Sequence, residues 1–198
     1  MACGTGLEDL YLKKSFHVTG IDIHTGVLDI ARNRNPDVTY TKGDMRTITI
    51  GNPFDVIICF DAMAYLSRKD FERTVKSFYR YVKKGGVLIF YIDTIKEHYH
   101  PETLVTKKLD KDLHVTLIED SYKINTKIEL YLIIIVRHNE SFIYTDKHYL
   151  TVFNISEITS MIKDTGFKLD IYASKEHTFS LDKYTGKPEE FPIFVCTK

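Results

Sequence analysis

The sequence has no excess of either charge: 27 Lys and Arg residues balance 27 Asp and Glu, and no basic stripe stands out. Without such a footprint there is no counterion release to drive binding to a phosphate backbone, which argues against nucleic acid as a partner. Long apolar runs are missing too. The stretch from Tyr131 to Val136 is far short of the roughly 20 residues that cross a bilayer. The N-terminus lacks a basic segment followed by an apolar one, so neither membrane insertion nor export is indicated. Cysteine is scarce. Cys3, Cys59 and Cys196 are odd in number, widely spaced and set in apolar or glycine-rich surroundings, which excludes a disulfide framework and fits a reduced cytoplasmic protein. The five prolines are scattered rather than gathered into a linker, and repeats and low-complexity stretches are absent.

What is present is a folding chain. Its 198 residues are 43% hydrophobic and 13% aromatic, enough to offset ordering entropy around one main core. From His17 to Asp93 short β-rich runs alternate with helical segments, the rhythm of parallel βαβ units. Strands are expected at His17 to Asp22, Val38 to Thr41, Phe54 to Phe60 and Gly86 to Asp93. Between the last two, Phe71, Val75, Phe78 and Val82 recur at helical spacing; Ser67 with Asp70 caps the start, and Gly85 and Gly86 are the expected stop. The charged face of this helix, from Arg68 to Lys76, reads as solvated surface.

After Asp93 the rhythm changes. Val115 to Glu119, Lys127 to Val136 and Phe142 to Phe153 read as consecutive long strands, with a hairpin loop from Arg137 to Ser141, so residues 94–152 form an antiparallel sheet inserted into an α/β core of residues 1–93 and 153–198. A helix returns at Ile155 to Lys163 between an Asn154–Glu157 capping pair and Gly166, and strands at Phe167 to Ala173 and Phe191 to Thr197 finish the chain.

The chemistry is carried by spacing. Ala2-Cys3-Gly4-Thr5-Gly6 is a strand-to-helix turn whose glycines let the backbone approach a ligand, and Leu7, Leu10 and Tyr11 follow on a helical face. A dinucleotide fingerprint would need a third glycine where Asp9 stands, and a nucleoside-triphosphate loop would need a following lysine and hydroxyl residue, so both are excluded. Sixteen residues after Gly6, Asp22 ends the next strand, where a carboxylate can accept both hydroxyls of a ribose; twenty-two further on, Gly43-Asp44-Met45 follows the third strand, where a carboxylate can take the adenine amine and a thioether can lie on its ring. Together these describe an adenosyl pocket at the carboxyl ends of the strands. His98 and His100, near Glu97 and Glu102, lack a third ligand at metal spacing and read as a surface loop; no metal site is expected.

Those motifs, with Thr19-Gly20-Ile21-Asp22, Phe54-Asp55-Val56-Ile57 and Val82-Lys83-Lys84-Gly85-Gly86, resemble the ordered motifs of class I S-adenosylmethionine-dependent methyltransferases across residues 1–93. Arg34-Asn35-Pro36-Asp37-Val38 and His148-Tyr149-Leu150-Thr151-Val152-Phe153 make the chain most similar to the small-molecule enzymes that N,N-dimethylate nucleotide-linked amino sugars. The resemblance implies a Rossmann-like sheet and S-adenosylmethionine as cofactor. It implies that Gly4 and Gly6, with Cys3, pass under the methionine part, that Asp22 with Ile23 holds the ribose, that Asp44 with Met45 takes the adenine, and that Phe60 and Asp61 line the methionine side. The acceptor side then falls to Tyr65 and Tyr91 as substrate-binding residues and to Asp120 and His148 as catalytic groups that orient an amine and take its proton. His148 and the aromatic residues have an alternative reading as packing within a sheet.

The implied activity is methyl transfer to an amine or hydroxyl of a small molecule, an amino sugar among the candidates. The alternatives are a non-catalytic S-adenosylmethionine binder and a methyltransferase acting on a macromolecule. A homodimer is compatible with the sequence. The family has an apolar strand, and helices before it, ahead of the glycine turn; here the sequence starts at Met1, so the first strand is expected to be missing, the sheet incomplete, and the natural reading frame to extend upstream.

Overall fold

The computed structural model describes residues 1–92, 94–98, 103–110, 113–123, 126–137, 140–175, 178–187 and 190–198; for most of these residues that fall between 98 and 140 or between 175 and 181 it describes the backbone course alone. After a four-residue helix α1 (Asp9–Leu12), strand β1 (Thr19–Asp22), helix α2 (Thr25–Arg34) and strand β2 (Thr39–Lys42) form a parallel βαβ unit, with Thr19 opposite Thr39 and Asp22 opposite Lys42. Strand β3 (Phe54–Phe60), helix α3 (Arg68–Tyr81) and strand β4 (Val82–Tyr91) form a second, with Ile57 opposite Leu88.

Strands β5 (Thr103–Asp110), β6 (Leu113–Lys123), β7 (Thr126–Arg137) and β8 (Glu140–Thr151) make a four-stranded antiparallel sheet in chain order. Helix α4 (Ile155–Thr165) leads back to β9 (Lys168–Lys175), β10 (Thr178–Lys183) and β11 (Phe191–Thr197), which complete a five-stranded sheet of order β10-β9-β11-β4-β3. In it β11 runs antiparallel to both neighbours, β4 and β9.

Local chemistry sets the helix ends. Ser67 Oγ accepts the Asp70 amide at the start of α3, and Phe71, Val75 and Phe78 present one buried stripe. Asn154 and Glu157 close a reciprocal capping box on α4, and Gly166 ends that helix in the left-handed region at φ +102°. The stop of α3 differs from expectation. Val82 leaves the helix directly into β4, and the two glycines fall inside the strand, where Gly85 has φ +80° and a side chain at Gly86 would meet the Asp55 carbonyl at 2.6 Å. The glycines serve a close backbone approach at a register shift between β3 and β4 rather than a helix end.

The core is aromatic. Phe71 packs on Phe90 and Phe153 at 6.0 and 4.9 Å, and Phe90 stacks on Phe194 at 4.8 Å. Strand β8 passes from solvent into this core, with Phe142 and Tyr144 exposed and Leu150 buried. The face expected from Leu7, Leu10 and Tyr11 is not the buried one: Leu7 and Tyr11 are exposed and Asp9 is inside.

Among the described residues β1 pairs with β2 and β3 with β4, but β1 and β3 do not pair with each other. A cavity of about 640 Å³ lies between them, lined by Thr19–Ile21 on one side and Asp55–Ile58 on the other. At the carboxyl ends of these strands residues 1–3 tie the two together. The Met1 amino group donates to the Ile58 carbonyl at 2.8 Å and the Cys3 amide donates to the Ile21 carbonyl at 3.0 Å.

Candidate active site

The two glycines of the first turn have left-handed backbones for different reasons. Gly6, at φ +69°, is wedged into a buried polar network: a Cβ there would lie 2.5 Å from Tyr40 Oη and 2.9 Å from Asn35 Nδ2. Tyr40 donates to Asp9 Oδ2 at 2.8 Å, while Asn35 Nδ2 donates to Tyr40 Oη at 3.0 Å and to the Gly6 carbonyl at 2.8 Å. Burial first, then the hydrogen bond to Asp9, hold the Tyr40 phenol well above its usual range. Sequence reasoning singled out neither Tyr40 nor this role for Asp9 and Asn35; the only signal was the Arg34 to Val38 string that contains Asn35. Gly4, at φ +52°, meets nothing within 4 Å of an added Cβ. It presents bare backbone to open space, as a turn that admits a ligand must.

Asp22 is the staple of this turn. Its Oδ2 accepts the Gly4 amide at 2.9 Å and its Oδ1 accepts the His24 amide at 3.0 Å, and the residue is buried while the adjacent Ile23 is exposed. Each carboxylate oxygen has a second lone pair, so ribose hydroxyls can be accepted as well. Cys3 sits half-buried beside it, and burial pushes its thiol up to about 11.

Asp44 is held by Arg46, whose Nε lies 2.9 Å from both carboxylate oxygens, and this guanidinium keeps the carboxyl below the usual range. Met45 points back to β3, with Sδ 3.9 Å from Cys59 Sγ. One residue beyond Cys59, the Phe60 ring packs on Tyr91 at 5.4 Å, and Asp61, itself left-handed at φ +52°, donates its amide to the Tyr91 carbonyl. Cys3, Gly4 and Asp22 thus meet at one point and Phe60, Asp61 and Tyr91 at another, with the Met1 bond to Ile58 linking the two strands involved.

On the acceptor side, a 3₁₀ turn at Met63–Tyr65 follows β3 and brings Tyr65 Oη to 2.5 Å from His148 Nδ1 on β8. The other ring nitrogen of His148 lies 3.0 Å from Asp146 Oδ2, and the imidazole stands between the Tyr65 and Tyr131 rings at 5.5 and 5.2 Å. Asp120 lies on β6 with its backbone opposite Ile128 of β7; its side chain is outside the described residues. Glu97 accepts the Ile155 amide at 2.9 Å and so anchors α4, whereas His100 and Glu102 fall outside the described residues. Among the described residues no three His, Cys, Asp or Glu side chains gather to hold a metal ion.

Residues 1–86 match the family described as a methyltransferase domain. Over 188 residues the chain is 31% identical to YqeM of Bacillus subtilis (strain 168), a protein whose name assigns it to the methyltransferases; the match covers 85% of this chain and 72% of that protein. The chain belongs to the methyltransferase family. This methyltransferase is also 26% identical over 186 residues to the dTDP-3-amino-3,4,6-trideoxy-α-D-glucopyranose N,N-dimethyltransferase of Streptomyces venezuelae, covering 86% of the chain and 74% of the relative.

Among solved structures it superposes on an S-adenosylmethionine-dependent methyltransferase from Clostridium acetobutylicum ATCC 824 with a TM-score of 0.82 and 18% identity, covering 99% of this chain and 81% of the other. The match to Streptomyces venezuelae DesVI has a TM-score of 0.82 at 21% identity, with 99% and 80% covered. The methyltransferase therefore has the α/β fold of the class I S-adenosylmethionine-dependent enzymes.

Proposed function

We propose that this methyltransferase uses S-adenosylmethionine to methylate the amine of a small molecule, an amino sugar linked to a nucleotide being the best-supported acceptor. The observation that carries the cofactor reading is the Gly4–Asp22 contact. A glycine turn opening onto free space and an acidic strand end meet there at 2.9 Å, the arrangement that a ribose and an aminoacyl chain require. The remaining lone pairs of Asp22 and the uncovered backbone of Gly4 suit the hydroxyls and the chain of that cofactor. When bound, S-adenosylmethionine supplies an already activated methyl group on a sulfonium.

The protein's own part is positioning. Asp22 with Ile23 would hold the ribose, Asp44 would face the adenine with Met45 packed behind it against β3, and Cys3, Gly4, Gly6, Phe60 and Asp61 would line the rest. Asp44 would then share its carboxylate between Arg46 and the adenine amine. Placing nucleophile and methyl in line provides most of the acceleration in such a displacement. His148 and Asp120 would orient the acceptor nitrogen and manage its proton, with Tyr65 and Tyr91 shaping the pocket and residues 94–152 forming its substrate side. The amino-sugar reading is supported by the Streptomyces relative, whose name specifies an amino-sugar acceptor.

Titration calorimetry with S-adenosylmethionine and its demethylated product tests the cofactor half. Wild-type protein should bind both, and Asp22→Ala should weaken binding by about 1.5–3 kcal/mol, the worth of hydrogen bonds to a charged group. Unchanged affinity in a folded Asp22→Ala protein would refute the assignment. A methyl-transfer screen of dTDP-amino sugars against bulk RNA and protein tests the acceptor half, and transfer confined to RNA or protein would overturn it.

A further inference from the structure

Tyr65 and His148 are 83 residues apart in sequence and come from different parts of the fold, yet they share a hydrogen bond, and His148 carries a second one to Asp146. The proton positions in this chain follow from elementary valence. The His148 hydrogen bond holds the Asp146 carboxyl below its usual range, so at neutral pH it is ionised and can only accept. The His148 Nε2 must then donate to it. A neutral imidazole with its proton on Nε2 has a bare lone pair on Nδ1, so Nδ1 accepts and the Tyr65 hydroxyl donates. The polarity of the whole row is thereby set, with every proton lying toward the strand β8 side.

We propose that Tyr65, His148 and Asp146 form a proton-accepting relay for the acceptor amine, in which Tyr65 Oη touches the substrate nitrogen, His148 receives the proton and Asp146 is a positioning residue that sets the imidazole tautomer. The proposal rests on the methyltransferase reading above and adds to it Asp146 and a chemical role for Tyr65. An aliphatic amine in neutral water is mostly an ammonium ion with no lone pair, so one proton must leave before the methyl arrives. In the relay an N–H proton passes to Tyr65 Oη as the tyrosine's own proton passes to His148 Nδ1. The product is a neutral amine, an intact tyrosine and an imidazolium facing the Asp146 carboxylate. The freed nitrogen lone pair then forms the new N–C bond, and the electron pair of the broken C–S bond stays on sulfur. The atoms that act are placed for this. Tyr65 is half exposed at the end of the turn after β3, and the imidazole is sheltered between the Tyr65 and Tyr131 rings. The groups facing it are Tyr65 from that turn, Asp146 from its own strand and Tyr131 from β7, on which Glu129 is its register partner.

Two measurements test the relay. Long-range ¹H–¹⁵N spectra of the histidine side chains, with His148 assigned by loss of its signals in His148→Gln, should show the Nε2–H tautomer near pH 8, and Asp146→Asn should erode it. An Nδ1–H tautomer in the wild type would overturn the proposal without reference to activity. The second is steady-state methyl transfer to dTDP-3-amino-3,4,6-trideoxy-α-D-glucopyranose, the acceptor in the name of the Streptomyces venezuelae relative. Tyr65→Phe should lower kcat about 100-fold and Asp146→Asn about tenfold, each with KM little changed, and Asp146→Glu should recover part of the loss. Calorimetric binding of S-adenosylmethionine should be the same in all three variants. Undiminished kcat in Tyr65→Phe would refute the relay alone. Failure of the wild type to bind S-adenosylmethionine would refute the reading on which the relay rests, and the relay with it.

Discussion

The two glycines of the N-terminal turn should respond differently to the same substitution. Alanine at Gly4 or Gly6 must adopt a left-handed backbone, which disfavours the folded state by roughly 1–2 kcal/mol, offset by about 0.4–1 kcal/mol because alanine restricts the unfolded chain. For Gly4→Ala that is the whole effect, because nothing lies within 4 Å of the new Cβ, and the net loss is about 1 kcal/mol. At Gly6 the Cβ arrives 2.5 Å from Tyr40 Oη. The tyrosine ring already fills the space that a Cβ on Gly20 would take, its ring atoms lying 2.3 and 2.4 Å from that position, so it packs close against the Gly20 backbone. Displacing it breaks its bond to the buried Asp9 carboxylate, worth roughly 1.5–3 kcal/mol, so Gly6→Ala should lose about 2.5–4 kcal/mol in all.

With a urea dependence of about 2 kcal/mol per molar, the midpoints should fall by about 0.5 M for Gly4→Ala and by about 1.2–2 M for Gly6→Ala. Cofactor affinity should move in the opposite order relative to stability. Gly4→Ala places a methyl group in the open space assigned to the ligand and should bind S-adenosylmethionine poorly while remaining folded. Equal midpoint shifts for the two variants, or undiminished binding by Gly4→Ala, would show that the turn is not built as argued.

Two further outcomes follow from the perturbed groups. Because the Cys3 thiol is pushed up to about 11 by burial, only about one molecule in a thousand carries the thiolate at pH 8; iodoacetamide should modify it far more slowly than a free thiol, with the rate still climbing at pH 10, and a plateau near pH 9 would contradict this. The Asp44 carboxyl is lowered by Arg46, so its contribution to stability is present above the ordinary carboxylate range and is lost as pH falls through the lowered value. Asp44→Asn should therefore reduce the acid sensitivity of unfolding below pH 4, and a denaturation series with parallel wild-type and variant curves would exclude the pairing.

Where local chemistry decides an element, the sequence made it readable. Ser67 with Asp70, Asn154 with Glu157, and Gly166 bracket α3 and α4 as their side chains suggest, and β3 and β11 have the expected bounds. Two unforeseen strands share one cause. Strand β5 carries Lys107 and Lys108 side by side without period-two alternation, and β10 is a short run among polar residues, so their strand state comes from pairing with β6 and β9 rather than from their own pattern. Gly6 is required for a further reason that its own neighbourhood in sequence does not show, since Tyr40, which a side chain there would meet, is 34 residues away and comes close only once β2 is laid beside β1.

The same logic separates the residues assigned to the cofactor from those assigned to the acceptor. Asp22 ends β1 and Asp44 follows β2, its parallel neighbour, so their spacing along the chain encodes their proximity in space. Tyr65 and His148 have no such relation. They meet because β8 passes from exposed at Tyr144 to buried at Leu150, and His148, two residues before that burial, falls where the strand crosses the turn that leaves β3. The alternation along β8 that made His148 readable as ordinary packing is the feature that delivers it to Tyr65. A residue on the half-buried rim of a sheet is held by the core on one side and open to a ligand on the other, so the packing and functional readings of His148 describe two sides of one placement.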